Sequence, residues 1–182
     1  LGQNIAPSFT AIEPDKGLFN GELAARLKVQ KGGVEYALYG YRGYSGTPVA
    51  ISPFGAPAFV RSQTFGASIM RPLGSGLFNA ECGYQDSLQD QTTTFIDKQL
   101  KFLVGYEQEL VKNLTLSGQY YLEYTPDHDA VVALMTGSDI AEDFVPDQMR
   151  HVLTLRSTFR TNQDNTVWSL FAFYSPSDDD AY

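Results

Sequence analysis

The sequence predicts an all-β fold: a transmembrane antiparallel up-and-down β-barrel, with about eight strands in this chain and the chain itself a segment of a larger barrel. Three observations lead there. Apolar and polar residues alternate over stretches of about nine to eleven residues, the length that crosses a bilayer when tilted, whereas soluble half-buried strands run to about five or six. Connections between these stretches alternate short and long. Most charges within the stretches keep to one parity.

The totals are compatible with that class and exclude others. Hydrophobic residues make up 43% of the 182, yet no run approaches the roughly 18 apolar residues of a membrane helix. Mean hydropathy is -0.22, as expected when every second strand residue faces a polar interior. Aromatics reach 13%, with 11 Tyr and 12 Phe against one Trp, which suits a barrel with interfacial girdles. A net charge of -8 and a pI near 4.6 argue against a nucleic-acid partner, which would need a basic patch. The single cysteine, Cys82, has no internal partner and occupies an apolar slot beside Ala80 and Tyr84. It reads as a small apolar residue, not a nucleophile.

Residues 1–20, punctuated by Pro7, Pro14 and Gly17, read as a loop or incoming segment. The first strand covers about Glu22 to Gln30, with Leu23, Ala25, Leu27 and Val29 on one face and Arg26, Lys28 and Gln30 on the other. Lys31-Gly32-Gly33 supplies a hairpin turn with the required φ freedom. Val34 to Tyr44 is the second strand, and Ser45 to Pro57 a longer loop with three prolines. The third, Phe59 to Arg71, sets Phe65, Ala67 and Ile69 against Thr64, Gly66 and Ser68. After the turn from Pro72 to Gly76, the fourth runs from Leu77 to Gln85, and Asp86 to Lys98 is a polar loop.

The clearest hairpin is Gln99 to Tyr124. Leu100, Phe102, Val104 and Tyr106 share one parity, Lys101, Gly105 and Glu107 the other, and only Leu103 breaks the rule. Beyond a break at Val111-Lys112-Asn113, Leu114, Leu116, Tyr120 and Leu122 alternate with Thr115, Ser117, Gln119 and Glu123. Thr125 to Gln148 is the longest connection and acidic; its one short helical candidate is Asp139 to Phe144. Met149 to Phe159 is the seventh strand, Arg160 to Asn165 a turn, and Thr166 to Ser175 the eighth. Residues 176–182 form a loop. Outer-membrane barrels have short periplasmic turns and longer extracellular loops. That assignment puts both chain ends outside, whereas complete barrels keep them in the periplasm, so flanking strands are expected.

Gly40-Tyr41-Arg42-Gly43-Tyr44, Gly83-Tyr84, Gly105-Tyr106-Glu107, Gln119-Tyr120-Tyr121-Leu122-Glu123 and Phe171-Ala172-Phe173-Tyr174-Ser175-Pro176-Ser177-Asp178 resemble phrases of bacterial porin-like outer-membrane proteins, especially large barrels of proteobacteria. The resemblance implies an outer-membrane location and a passive or substrate-selective pore. It also implies further strands beyond the Ser-Pro-Ser-Asp loop. It transfers no functional residue.

No catalytic constellation emerges, and neither an enzyme nor a cofactor is expected. His151 shares parity with Leu153 and Leu155 at a strand end and reads as interfacial. Asp127-His128-Asp129 lies in an acidic loop where solvated charge is the default, and Asp178-Asp179-Asp180 lacks the glycine and spaced donors of a calcium loop. What stands out is the interior. Arg26, Lys28, Glu35, Glu81, Lys101, Glu107, Glu123, Arg150 and Arg156 are expected to line a lumen, and Leu100, Phe102, Val104, Leu114, Leu116 and Leu122 to face lipid. A cation at the lipid midplane costs about 2–4 kcal/mol, which explains the segregation. Arg61 and Arg71 share the apolar parity but lie at strand ends, where snorkelling is cheap; Arg61, at the outer end, can meet lipid phosphate.

The expected function is passive diffusion of small hydrophilic solutes through a bacterial outer membrane. Lipid and lipopolysaccharide are the expected neighbours, and a homo-oligomer is left open. Two alternatives stand beside it: a non-conducting structural or adhesive barrel with acidic extracellular loops, and a soluble lipocalin-like ligand-binding barrel.

Overall fold

The computed structural model describes residues 21–46, 50–51, 57–87, 93–94, 98–136, 147–177 and 180–181. The incoming segment 1–20, the helical candidate Asp139 to Phe144 and the pair Asp178-Asp179 lie outside the described residues. Eight long strands follow one another: β1 (Leu23–Lys31), β2 (Val34–Tyr44), β3 (Arg61–Leu73), β4 (Gly76–Ser87), β5 (Lys98–Val111), β6 (Leu114–Tyr124), β7 (Met149–Thr161) and β8 (Thr166–Ser175). Each pairs antiparallel with its sequence neighbours, so they form one up-and-down sheet.

Local chemistry explains the hairpins. The alternating runs supply strands, and two-residue turns at Gly32-Gly33, Gly74-Ser75 and Lys112-Asn113 reverse the chain. Gly32 and Gly33 both adopt positive φ, 61° and 77°, the mirror-image turn whose twist matches paired strands. Asn113 takes φ 70°, and its N–H donates to Glu109 Oε1 at 2.7 Å beside a bulge between Glu109 and Val111. The β7–β8 turn is less ordinary. Asn162, Gln163 and Asp164 all have φ between 54° and 68°.

On the other side of the sheet the connections are 16, 10 and 24 residues long. They are organised. Ser45 N–H donates to Val60 O at 2.8 Å, and Thr125 N–H to Gln148 O at 2.9 Å, so two loops are clamped at their bases. Ala50–Ile51 pairs with both Pro57–Ala58 and Thr93–Thr94, which ties the first long loop to the second. The third contains a helix, α1 (His128–Thr136), whose Val131 is buried.

Four details differ from the sequence expectation. The acidic connection holds a helix, begun by Pro126-Asp127, where solvated loop was expected; Ala130 and Val131 N–H donate to Asp127 O. Asp180 and Ala181 pair with Ser175 and Tyr174, so part of the terminal loop is strand. The turn expected from Pro72 to Gly76 is shorter, since Pro72 and Leu73 pair with Leu77 and Gly76. The sheet is also open: β1 and β8 do not pair with each other, and each has an outer row of backbone groups that the described residues cover only where Asp180–Ala181 meets β8.

Candidate functional site

The register fixes which residues share a face. Leu27 pairs with Leu38, Leu38 with Ala67, Ala67 with Cys82, Cys82 with Phe102, and Phe102 with Leu122, so one apolar row crosses six strands. Followed in the same way, Leu100, Phe102, Val104, Leu114, Leu116 and Leu122 all stand on this face. Arg26, Lys28, Glu35, Glu81, Lys101, Glu107, Glu123, Arg150 and Arg156 all stand on the other.

Burial runs opposite to that of a soluble sheet. Leu23, Leu170 and Trp168 on the apolar face are 70%, 69% and 63% exposed. Among the described residues of the eight strands, every buried side chain other than glycine is on the polar face: Ala37, Ser62, Ser87, Gln99, Thr158 and Ser175. Most of these sit near the long-loop ends, where the connections fold. The apolar face also carries aromatics at two levels. Tyr44, Tyr84, Tyr124 and Tyr174 lie towards the long loops, and Tyr36, Phe78, Tyr106, Phe159 and Trp168 towards the short turns.

On the polar face, charges are held in different ways. Glu35 takes Lys28 Nζ at 2.6 Å and Arg26 at 3.7 Å, and the Arg26 guanidinium also covers the Tyr39 ring at 5.3 Å. Glu123 is flanked in register by Lys101 and Arg150. Its oxygens accept instead from Gln99 Nε2 and Tyr121 OH, both at 2.7 Å, while Lys101 Nζ donates to Gln85 Oε1 at 3.3 Å. Arg156 stacks on Phe171 at 5.3 Å in the row that runs Glu107, Ser117, Arg156. Glu81 and Glu107 are exposed and make no ion pair among the described residues. The resulting surface is hydrophilic and only partly self-neutralised.

The residues outside these two sets fall as follows. His151 is on the apolar face near the long-loop end, its Nδ1 2.7 Å from Tyr120 OH. Cys82 is on the same face and exposed. Asp127 pairs with Lys98 at 3.2 Å, and no group of three metal-ligating side chains occurs among the described residues. Arg42 was not singled out by sequence. It stands on the apolar face beside Arg61, and the alternation of β2, where tyrosines occupy both parities, concealed it.

No protein-family model, curated protein or solved structure matches the chain. Fold and site together define an open, all-β, antiparallel sheet with one apolar and one polar face.

Proposed function

We propose that the chain is a section of a transmembrane β-barrel of a bacterial outer membrane, porin-like, whose polar face lets small hydrophilic solutes diffuse passively. The observation that carries this reading is the inverted burial: the apolar face is the uncovered one. Full burial of a Leu or Phe side chain is worth about 1.5–3 kcal/mol, so a face bearing this many needs a nonpolar medium. Lipid supplies one without any further protein layer.

Geometry adds support. Arg61 and Arg71 flank the apolar face of β3 ten residues apart, about 33 Å along an extended strand. A tilt of about 35–45° reduces that to roughly 25 Å, the height of a barrel's apolar band. Further strands on the outer edges of β1 and β8 close the barrel, since a long exposed edge invites aggregation. A barrel larger than eight strands leaves room for water, whereas eight alone would be filled by side chains. The short turns then lie in the periplasm and the long loops outside.

A second reading, a non-conducting structural or adhesive barrel, draws on the ion pairs of Glu35 and the saturated carboxylate of Glu123. The open carboxylates of Glu81 and Glu107 favour a solvated interior over a closed one. Planar-bilayer recording with the full-length protein decides between them. Stable ohmic steps are expected; a protein that inserts and never conducts would eliminate the channel.

A further inference from the structure

The polar face is not polar throughout. β8 turns Trp168 and Leu170 to the apolar face and Val167, Phe171 and Phe173 to the other, where all three are exposed. Lipid accounts for the first pair only. Apolar side chains set in a water-facing wall call for an occupant that is itself partly apolar.

β7 indicates what else that occupant carries. Arg150, Arg156 and Arg160 stand on the same face, and neither β7 nor β8 contains an aspartate or a glutamate. Arg150 has Glu123 directly opposite on β6. Arg156 has Ser117 on that side and Phe171 on the other, and its diagonal neighbours are Thr115, Gln119, Ser169 and Phe173, so no carboxylate adjoins it within the sheet. Its guanidinium lies over the Phe171 ring at 5.3 Å. Stacking uses the flat face of a guanidinium and leaves its edge of N–H donors for a carboxylate. Arg160 repeats the arrangement, directly opposite Val167 and about 13 Å nearer the short turns. All four short turns are among the described residues.

We propose that β7 and β8 form a track for small organic anions that carry a carboxylate on an aromatic or branched aliphatic body, the carboxylate on the arginine edge and the body on Phe171 or Val167. The assignment rests on the pore reading above and narrows its solutes to this class. An inorganic anion would use the arginines and not the ring. An aromatic amine would use the ring and be repelled by the arginines, and a plug of protein would hold the track shut.

The test is planar-bilayer recording of the full-length protein in potassium chloride, with millimolar benzoate, acetate or benzylammonium added to one side. Benzoate should interrupt the current with residence times about ten-fold longer than those of acetate or benzylammonium, a comparison that needs no variant. Arg156→Gln should bring benzoate down to the level of acetate. Phe171→Ala should do the same and leave acetate unchanged. Arg71→Gln, on the apolar face, should leave the benzoate events as they are, and conductance in chloride alone reports that each variant is folded and inserted. In a channel that conducts, equal residence of benzoate and acetate, equal residence of benzoate and benzylammonium, or benzoate events unaltered by Arg156→Gln would overturn the track and leave the pore standing. A protein that inserts and never conducts would overturn both.

Discussion

Ala37 and Leu38 are adjacent in β2 and teach opposite lessons. Ala37, on the polar face, is 3% exposed; Leu38, on the apolar face, is 58% exposed. A soluble sheet hides its leucines and shows its polar side. Here the polar face contains serines, a glutamine and a threonine that are buried, while the large aliphatic side chains have no protein layer over them. The difference follows from what each face must satisfy. Polar groups that leave water need partners, which Glu123, Gln99 and Tyr121 supply to one another. Apolar groups need only the absence of water.

The comparison breaks most easily with a charge. Leu38→Arg places a cation in the middle of the apolar face and should cost about 2–4 kcal/mol in urea unfolding from lipid vesicles, whereas Gln119→Arg on the polar face should cost less than about 0.5 kcal/mol. Equal costs would mean that the two faces see the same solvent. Glu123→Ala comes next. It leaves the buried Gln99 amide and the Tyr121 hydroxyl without their acceptor and should destabilise by roughly 2 kcal/mol, with Glu123→Gln recovering part of the loss. If Glu123→Ala unfolds at the wild-type urea midpoint, the polar network adds nothing to stability.

Smaller effects sharpen the picture at the turns. Left-handed backbone costs a non-glycine residue about 1–2 kcal/mol, less what glycine loses in the unfolded chain. Gln163→Gly should therefore stabilise by about 0.5–1 kcal/mol, and a lower unfolding midpoint would show that the β7–β8 turn is not held as described. Glu35→Gln should be smallest. Its partners Arg26 and Lys28 are about half exposed, so the loss should be about 0.5 kcal/mol and shrink as salt is raised. A salt-independent loss well above 1 kcal/mol would place that cluster in a drier setting than its exposure indicates.

The strands were legible because each carries its own alternation and its own turn residues. Thr166–Ser175 was readable to the residue, since Arg160 to Asn165 ends one run and an apolar run starts at once. The helix His128–Thr136 was not, because its acidic start blends with the surrounding loop; Asp127 at the cap and Asp129 in the first turn were the available signals. Pairing of Ala50–Ile51 with Thr93–Thr94 joins residues more than forty apart through two-residue strands, which leave no periodic trace. Which residues share a face was readable from parity in the strands whose alternation is clean, such as Leu100 to Tyr106. Arg42 escaped because Tyr36, Tyr39 and Tyr41 blur the parity of β2.

The central claim is that the apolar face meets lipid and the polar face meets water. Cys82, the only cysteine of the chain, stands on the apolar face, and Ser68 stands on the polar face one strand away. A nitroxide attached at Cys82 in the bilayer-reconstituted protein can be compared with one attached at position 68 of a Cys82→Ala, Ser68→Cys variant, by collision with oxygen and with a water-soluble nickel chelate. The label at Cys82 should be relaxed by oxygen and shielded from the chelate, and the label at position 68 should show the reverse. Free access of the chelate to the label at Cys82 would contradict the membrane reading outright.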